Sequence, residues 1–503
     1  MRHRSTRLLA GLGVVVLLAG ACSGDGESSS GATDTVASEP TTTVAPADVT
    51  VTGPITGGVR GVPYNPVPLD LADEYGYTEE EYFVRGEAAS YTPVGELTPD
   101  GRWTVTEGEP APYETRILVR RPVDPDAFNG TVVVEWLNVS AGRDSDPVFG
   151  YLHPYLLREG YAYVGVSAQA TGVEGGGSRL EVPGVPADAL VPLKEWDPER
   201  YASLDHPGDA WSYGIYTDVA EMVRAPGDPN PLDGLAVEHV LAVGESQSAG
   251  RLASYINAVQ PVEGAYDGIF VHSRGAGGSD LGEDPSAASP SPLLLRTDLD
   301  VPVMQFEAET DLMFLRFREA RQPDAEGLVT WEVAGTAHAD ADTLVYGSES
   351  GQIWSSGGGL DAEALCGTVN DGPHGAVLRA AMHAFRSWVV DGTRPPTSPR
   401  IEIVDDEIAR DELGNAVGGI RTPAVDVPVS ALRGDGNPSS VFCSLFGQSA
   451  PFDDQQLRAL YGDHATYVER FTASADEALA AGYLLEPERD EMVAEAEASD
   501  VAR

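Results

Sequence analysis

The hydrophobic pattern of this 503-residue chain changes near residue 115. From there, short runs rich in β-branched and aromatic residues alternate with longer stretches whose apolar positions recur every three or four residues. The first kind reads as strands and the second as one-faced helices, and their alternation predicts a mostly parallel sheet covered by helices. Strands are expected at 116–119, 131–137, 161–167, 239–243, 268–272, 301–307 and 328–334, and helices at 149–159, 211–224, 247–258, 312–321 and 376–390. In the last helix Val377, Leu378, Ala381, Met382, Phe385, Trp388 and Val389 are spaced for one buried face. The fold class is therefore α/β, with a central sheet of about eight strands and helices on both faces. Before residue 115 the chain is rich in Gly, Pro, Tyr and Thr and reads as an antiparallel β extension. After residue 400 a Pro/Gly-rich stretch leads to helical segments at 453–460, 464–481 and 486–499. Loops at 168–210, 273–299 and 339–375 are too long for simple connections, and loops of that length usually carry function. The Gly, Ser and Asp content of 168–210 and 339–375 predicts a polar rim to any site they border.

The N-terminus changes the compartment. Arg2, Arg4 and Arg7 precede an uncharged apolar run from Leu8 to Leu18 and then small residues ending at Ala21. This is the layout of a secretory signal, and the run is too short to span a bilayer. Leu18-Ala19-Gly20-Ala21-Cys22 resembles a bacterial lipobox, with Ala19 where Leu is commoner. The resemblance implies a lipidated Cys22 as the first mature residue and an anchored protein on the extracytoplasmic face of the membrane, a plain secreted protein being the alternative. The expected organisation is a signal at 1–21, a flexible Ser/Thr-rich tether at 22–52, the α/β domain at 53–400 and a C-terminal region at 401–503 packed on it. With Cys22 lipidated, Cys366 and Cys443 remain, and an oxidising compartment makes a disulfide between them the simplest use of the pair.

Charge excludes one class of partner. The formal net charge is −47, which repels nucleic-acid backbones and anionic lipid headgroups. Loss of the signal removes three arginines and no acid, taking the value to −50. A substrate met by such a surface is better neutral or cationic than anionic. No His-Glu-x-x-His, paired Cys-x-x-Cys or Gly-x-Gly-x-x-Gly after a strand is present, so neither a metal nor a cofactor is expected.

The chemistry is read from three strand ends. The segment His239-Val-Leu-Ala-Val-Gly244-Glu-Ser246-Gln-Ser248 runs from a strand through a tight turn into a helix, with small residues two before and two after Ser246. Such a turn is too sharp for large flanking side chains and leaves the serine projecting from the sheet edge. A helix-capping serine gives the same local pattern, and Ser248 is flanked in the same way but lies further into the helix. A serine hydroxyl needs a base, and the base needs an acid to hold its tautomer. After the strand at 301–307 come Glu309 and Asp311; Asp311 is the expected acid, Glu309 the alternative, and capping of the next helix would also suit them. After the strand at 328–334 a small-residue turn presents His338, the expected base, whereas His374 has no preceding strand and reads as structural. The oxyanion of an acyl transfer would find the N–H of Gln247 and a second donor in the loop after the strand at 131–137, with Leu137 or Asn138 expected.

Asn129-Gly-Thr-Val-Val-Val-Glu-Trp-Leu-Asn138-Val-Ser140, Gly160-Tyr-Ala-Tyr-Val-Gly-Val-Ser-Ala-Gln169, Gly244-Glu-Ser-Gln-Ser248, Trp331-Glu-Val-Ala-Gly-Thr-Ala-His338-Ala-Asp340 and Asn370-Asp-Gly-Pro373 together resemble a large, poorly characterised family of α/β-hydrolase-domain proteins. The resemblance covers roughly residues 53–500. It implies an α/β-hydrolase fold with a serine nucleophile at Ser246 and a histidine at His338, and no particular substrate. The function expected from all this is a serine hydrolase of small-molecule carboxylic esters. Alternatives on the same residues are a peptidase, lactonase or acyltransferase, and a non-catalytic binding lipoprotein on the same scaffold. The sequence leaves the oligomeric state unknown.

Overall fold

The computed structural model describes residues 49–178, 180–182, 190–355 and 362–503. The expected signal, Cys22 and the tether up to residue 48 lie outside the described residues.

Nine strands form one sheet: β1 (Thr50–Thr52), β2 (Tyr77–Ala88), β3 (Ala111–Pro122), β4 (Thr131–Trp136), β5 (Ala162–Val166), β6 (His239–Glu245), β7 (Gly268–His272), β8 (Val303–Ala308) and β9 (Leu328–Val333). Their spatial order is β1-β2-β3-β5-β4-β6-β7-β8-β9. β4 to β9 run parallel to one another, while β1, β2 and β3 join antiparallel at one side. β4 and β5, reading TVVVEW and AYVGV, are buried along their whole length, as parallel strands covered on both faces must be.

The two faces are covered by helices. Tyr216 and Val219 of α2 (Ser212–Arg224) and Leu252 of α3 (Gln247–Ser254) pack with Val134, Ala242 and Val271 on one side. Leu152 of α1 (Pro147–Arg158) and Leu378 and Phe385 of α5 (His374–Asp391) pack with Val133, Leu241, Phe306 and Trp331 on the other. Between them in sequence lies α4 (Ala341–Trp354), and α6 (Asp454–Tyr461), α7 (His464–Ala480) and α8 (Glu486–Ala498) complete the C-terminal region. That region reaches the last strand directly, since Ile420 N–H donates to Glu332 O at 2.7 Å and accepts at its own carbonyl from Ala334 N–H at 3.0 Å. Among the described residues no helix is long and apolar enough to cross a membrane.

Three elements differ from expectation. Thr50–Thr52, expected to end the flexible tether, pair with β2 as β1, so the sheet begins before residue 53. β3 has twelve residues rather than the four at 116–119. Its buried arginines hide the strand from a hydrophobicity pattern: Arg120 meets Glu79 and Asp146, and Arg116 meets Glu81. The helix expected at 312–321 is only the short Glu309–Met313. Leu315 O is taken by Ala276 N–H, and Arg316 adopts a left-handed conformation at φ 62° that no right-handed helix can continue.

Candidate active site

The carboxyl ends of β6, β8 and β9 converge on one point. At the end of β6 the chain turns directly into α3, and Ser246 occupies the turn with φ 59° and ψ −113°. A non-glycine residue is seldom held there, and such strain is kept where surrounding structure over-determines it. The flanking small residues explain how. A Cβ on Gly244 would lie 3.1 Å from Leu252 and 3.2 Å from the Ser248 backbone. Ser248 is buried and turned inward, its hydroxyl donating to Glu245 O at 2.8 Å and accepting from Glu245 N–H at 3.0 Å. It fastens the turn and is not presented as Ser246 is.

Ser246 Oγ lies 2.9 Å from His338 Nε2, and His338 Nδ1 lies 2.6 Å from Asp311 Oδ1. Asp311 is fully buried and its second oxygen accepts Ala308 N–H at 2.6 Å, which fixes the carboxylate against the end of β8. Glu309 points elsewhere. It accepts from Gly335 N–H at 2.7 Å, Gly434 N–H at 3.0 Å and Arg410 at 2.8 Å, and so ties the loop after β9 to the C-terminal region. Asp311 is thus the acid brought to His338, and Glu309 is an anchor behind it. His374 is also behind the site: its Nδ1 bonds Ala337 O at 2.8 Å, its Nε2 meets His272 Nε2 at 2.7 Å and its ring stacks on Tyr151. Burial pushes its pKa down to about 4, so it is a neutral support beneath the His338 loop.

Two of the backbone N–H groups expected to receive an oxyanion are committed elsewhere. Leu137 N–H is bonded to Val166 O at 3.2 Å and Asn138 N–H to Ser145 O at 2.9 Å, so backbone pairing consumes both groups. Val139 is the residue whose N–H turns toward the nucleophile side, where it donates to the Gln247 side chain at 3.3 Å. Gln247 opens α3, so its own N–H has no intrahelical partner.

One residue at the centre was not singled out from the sequence. Glu245, the residue before Ser246, places Oε1 3.0 Å from His338 Nε2. Asn138 holds it there, its side-chain N–H donating to Glu245 O at 3.0 Å and to Oε2 at 3.2 Å. The signal was present as an acid inside the Gly-x-Ser-x-Ser turn, at a position that pattern leaves free. Burial alone would lower the pKa of His338, but the carboxylates of Glu245 and Asp311 outweigh it and raise the value to about 10. Burial raises that of Glu245, against the pull of His338.

The surroundings are less polar than the loop composition suggests. Leu180, Val182, Leu344 and Leu365, all from the long loops or the helix following the site, pack with Phe442 and Phe446 around a disulfide joining Cys366 and Cys443, whose Cα atoms are 5.4 Å apart. This cluster touches the site at two places: Ala339 N–H donates to Leu445 O at 3.0 Å, and Leu180 N–H to Ser140 O at 3.0 Å. Among the described residues no group of three or more His, Cys, Asp or Glu side chains is placed to hold a metal ion. With His338 in its neutral form, the site can move a proton from Ser246 Oγ to Nε2 while Asp311 fixes the imidazole.

A family model described as an alpha/beta hydrolase domain matches residues 51–494. Among solved structures, the esterase Est22 is 14% identical at a TM-score of 0.27, covering 54% of this chain and 76% of that one. XC6422 of Xanthomonas campestris, a serine hydrolase without a lid, is 15% identical at a TM-score of 0.23, covering 50% and 86%. A fungal esterase of Rhizomucor miehei is 12% identical at 0.26, covering 53% and 81%. At such TM-scores none of these likenesses bears on function. No curated protein matches the chain.

Proposed function

Because the chain belongs to the alpha/beta hydrolase domain family, we propose that it is a serine hydrolase of carboxylic esters in which Ser246, His338 and Asp311 form the catalytic triad. The observation that carries this reading is the continuous path from Ser246 Oγ through the imidazole to Asp311, at 2.9 and 2.6 Å, on a turn held in a strained conformation. Ser246 Oγ attacks the ester carbonyl and gives its proton to His338 Nε2. The carbonyl electrons move to oxygen, where the N–H groups of Gln247 and Val139 receive the charge once the Gln247 side chain yields its place. The imidazolium then protonates the leaving alkoxide, and water repeats the sequence to free the acid and Ser246.

The same reading places the enzyme outside the cytoplasm, anchored through lipid at Cys22. The arginines, apolar run and small residues before Cys22 support this, and the disulfide between Cys366 and Cys443 suits an oxidising compartment. The test is covalent labelling with a fluorophosphonate, followed by peptide mapping. The label should fall on Ser246, and Ser246→Ala should abolish both labelling and hydrolysis of p-nitrophenyl acetate. Labelling that survives the substitution would sink the assignment. A mature N-terminal peptide whose mass shows an unmodified Cys22 would likewise sink the anchor.

A further inference from the structure

His338 meets two oxygens at a single nitrogen. Nε2 lies 2.9 Å from Ser246 Oγ and 3.0 Å from Glu245 Oε1, yet an imidazole nitrogen has one in-plane valence, either a lone pair or an N–H. Ser246 can donate only to the lone pair. Glu245, as a carboxylate, can only accept from the N–H. The two neighbours therefore belong to successive moments of one proton transfer. Asn138 fixes the second of them by gripping both the backbone and the side-chain oxygen of Glu245.

We propose that Glu245 is the second carboxyl partner of the base, holding the imidazolium on its Nε2 side as Asp311 holds it on its Nδ1 side. The inference rests on the triad reading given above. When Ser246 Oγ bonds to the substrate carbonyl, its proton passes to Nε2 and the carbonyl electron pair passes to oxygen. The resulting imidazolium has two N–H groups, one directed to Asp311 Oδ1 and one to Glu245 Oε1. The pair on the oxyanion then re-forms the carbonyl as the C–O bond to the alcohol breaks, the alkoxide oxygen takes the Nε2 proton, and the base is neutral again with the acyl group on Ser246. No co-reactant is needed.

The arrangement has a cost as well as a benefit. While Nε2 carries its lone pair, a Glu245 carboxylate faces that lone pair across 3.0 Å, which disfavours the neutral base. Once Nε2 is protonated the same oxygen attracts it. Both effects favour the protonated form and work against burial, which by itself favours a neutral His338. A protonated resting His338 cannot accept the serine proton, so Glu245 trades activity at low pH for stabilisation of the imidazolium in the transition state. The other titratable groups around His338 do not obscure this. Asp311 comes from the turn after β8 and faces Nδ1. His272 on β7 and His374 on α5 face one another, and burial keeps both neutral over the working range. Tyr151 on α1 is bonded to Asp340, and burial raises its pKa.

The test is the pH profile of kcat/KM for p-nitrophenyl acetate in the full chain. Glu245→Gln should move the acidic limb down by ~1 pH unit or more and lower the alkaline plateau by roughly tenfold, because the same interaction sets both. A plateau that falls while the limb stays at its wild-type position would mean a merely structural Glu245 and would overturn the proposal. If Glu245→Gln fails to fold, Glu245→Asp keeps the charge but withdraws it by one methylene. Its limb should then fall below that of the wild type, and an unmoved limb would again overturn the proposal. A wild-type protein that is neither labelled at Ser246 nor active on the ester would overturn the triad reading itself, which separates that failure from this one.

Discussion

The turn that carries Ser246 and the loop that carries His338 meet at one hydrogen bond, but they are built differently. The first is local. Gly244, Glu245, Ser246 and Ser248 set its shape, with the Ser248 hydroxyl bonded to both the N–H and the carbonyl of Glu245, and Asn138 and the His272 carbonyl hold it from the adjoining strands. The second is held from far along the chain. The Thr310 hydroxyl accepts His338 N–H at 3.0 Å and donates to Gly434 O at 2.6 Å, while Glu309 links Gly335 to Gly434 and Arg410. Asn370 accepts Ala341 N–H at 3.0 Å and donates its own N–H to Phe446 O at 2.9 Å. A Cβ on Gly434 would sit 2.2 Å from Thr336 O, so that contact admits no side chain. The Ser246 turn thus rests on its own strand and helix and on two neighbours within the sheet layer, Asn138 and the His272 carbonyl, whereas the His338 loop needs residues 401–503 as scaffolding. The C-terminal region is part of the site without supplying a reacting atom.

The largest expected effect tests which of two neighbouring acids belongs to the reaction and which to the scaffold. Asp311→Asn should lower kcat by about 10⁴-fold, since the amide can present the wrong face to Nδ1 and release the required tautomer. Its melting temperature should change little by comparison. Glu309→Gln should do the reverse, weakening the tie to Arg410 and Gly434 while Asp311 still faces His338. Kinetics and thermal melting on the two variants decide the matter. A Glu309→Gln enzyme as slow as Asp311→Asn would erase the distinction.

A smaller effect is expected from the disulfide. It closes a sequence separation of 77 residues and clamps the segment around Cys443, whose neighbours Leu445 and Phe446 accept hydrogen bonds from Ala339 and Asn370. Cys366→Ser with Cys443→Ser should lose about 2–4 kcal/mol of stability in urea unfolding. Activity should fall in parallel, because the clamp supports the loop of His338. Fluorophosphonate labelling of Ser246, slowed by a loosened base, should fall with it. Unchanged turnover in a destabilised variant would mean that the His338 loop stands without this support.

This difference in construction also explains what could be read from the sequence. The Ser246 turn was legible because a sharp turn imposes small residues at fixed offsets, and Gly244 and Ser248 satisfy it within five residues. The parallel strands β4 to β9 were legible because their buried runs of Val, Ile and aromatic residues leave a continuous apolar signature. Asp311 and His338 followed from their positions just after strands. The choice of Asp311 over Glu309 was only a preference, because what separates them is a partner a hundred residues away, Arg410. Leu137 and Asn138 were expected as oxyanion donors because position in a loop says nothing about where a backbone N–H is spent. Here the pairings with Val166 and Ser145 consume both and leave Val139. Glu245 was passed over for a related reason. A turn motif specifies its small residues, and the freedom of the remaining position conceals a carboxyl that reaches the base. The buried arginines of β3 hid most of that strand, since pairing with Glu79, Glu81 and Asp146 lets charges sit where apolar residues are expected.

The smallest effect is expected within the local region itself. Ser248→Ala removes a hydroxyl that bonds both ends of Glu245 and leaves a Cβ where a serine already has one. The buried Glu245 N–H loses its partner, which should cost on the order of 1–2 kcal/mol by thermal unfolding. Fluorophosphonate should still attach at Ser246, because the hydroxyl that reacts remains on the strained turn and still faces His338 Nε2 at 2.9 Å. The carbonyl end of Glu245 is also gripped by Asn138 at 3.0 Å, so loss of the Ser248 contact does not free the turn. With Asn138 and the His272 carbonyl still holding the turn, labelling rate should change less than in the disulfide double variant, although Ser248 lies two residues from Ser246 and the cysteines lie more than a hundred. A larger loss in Ser248→Ala would reverse the comparison, making the short-range contacts the fragile ones and the distant scaffold the redundant one.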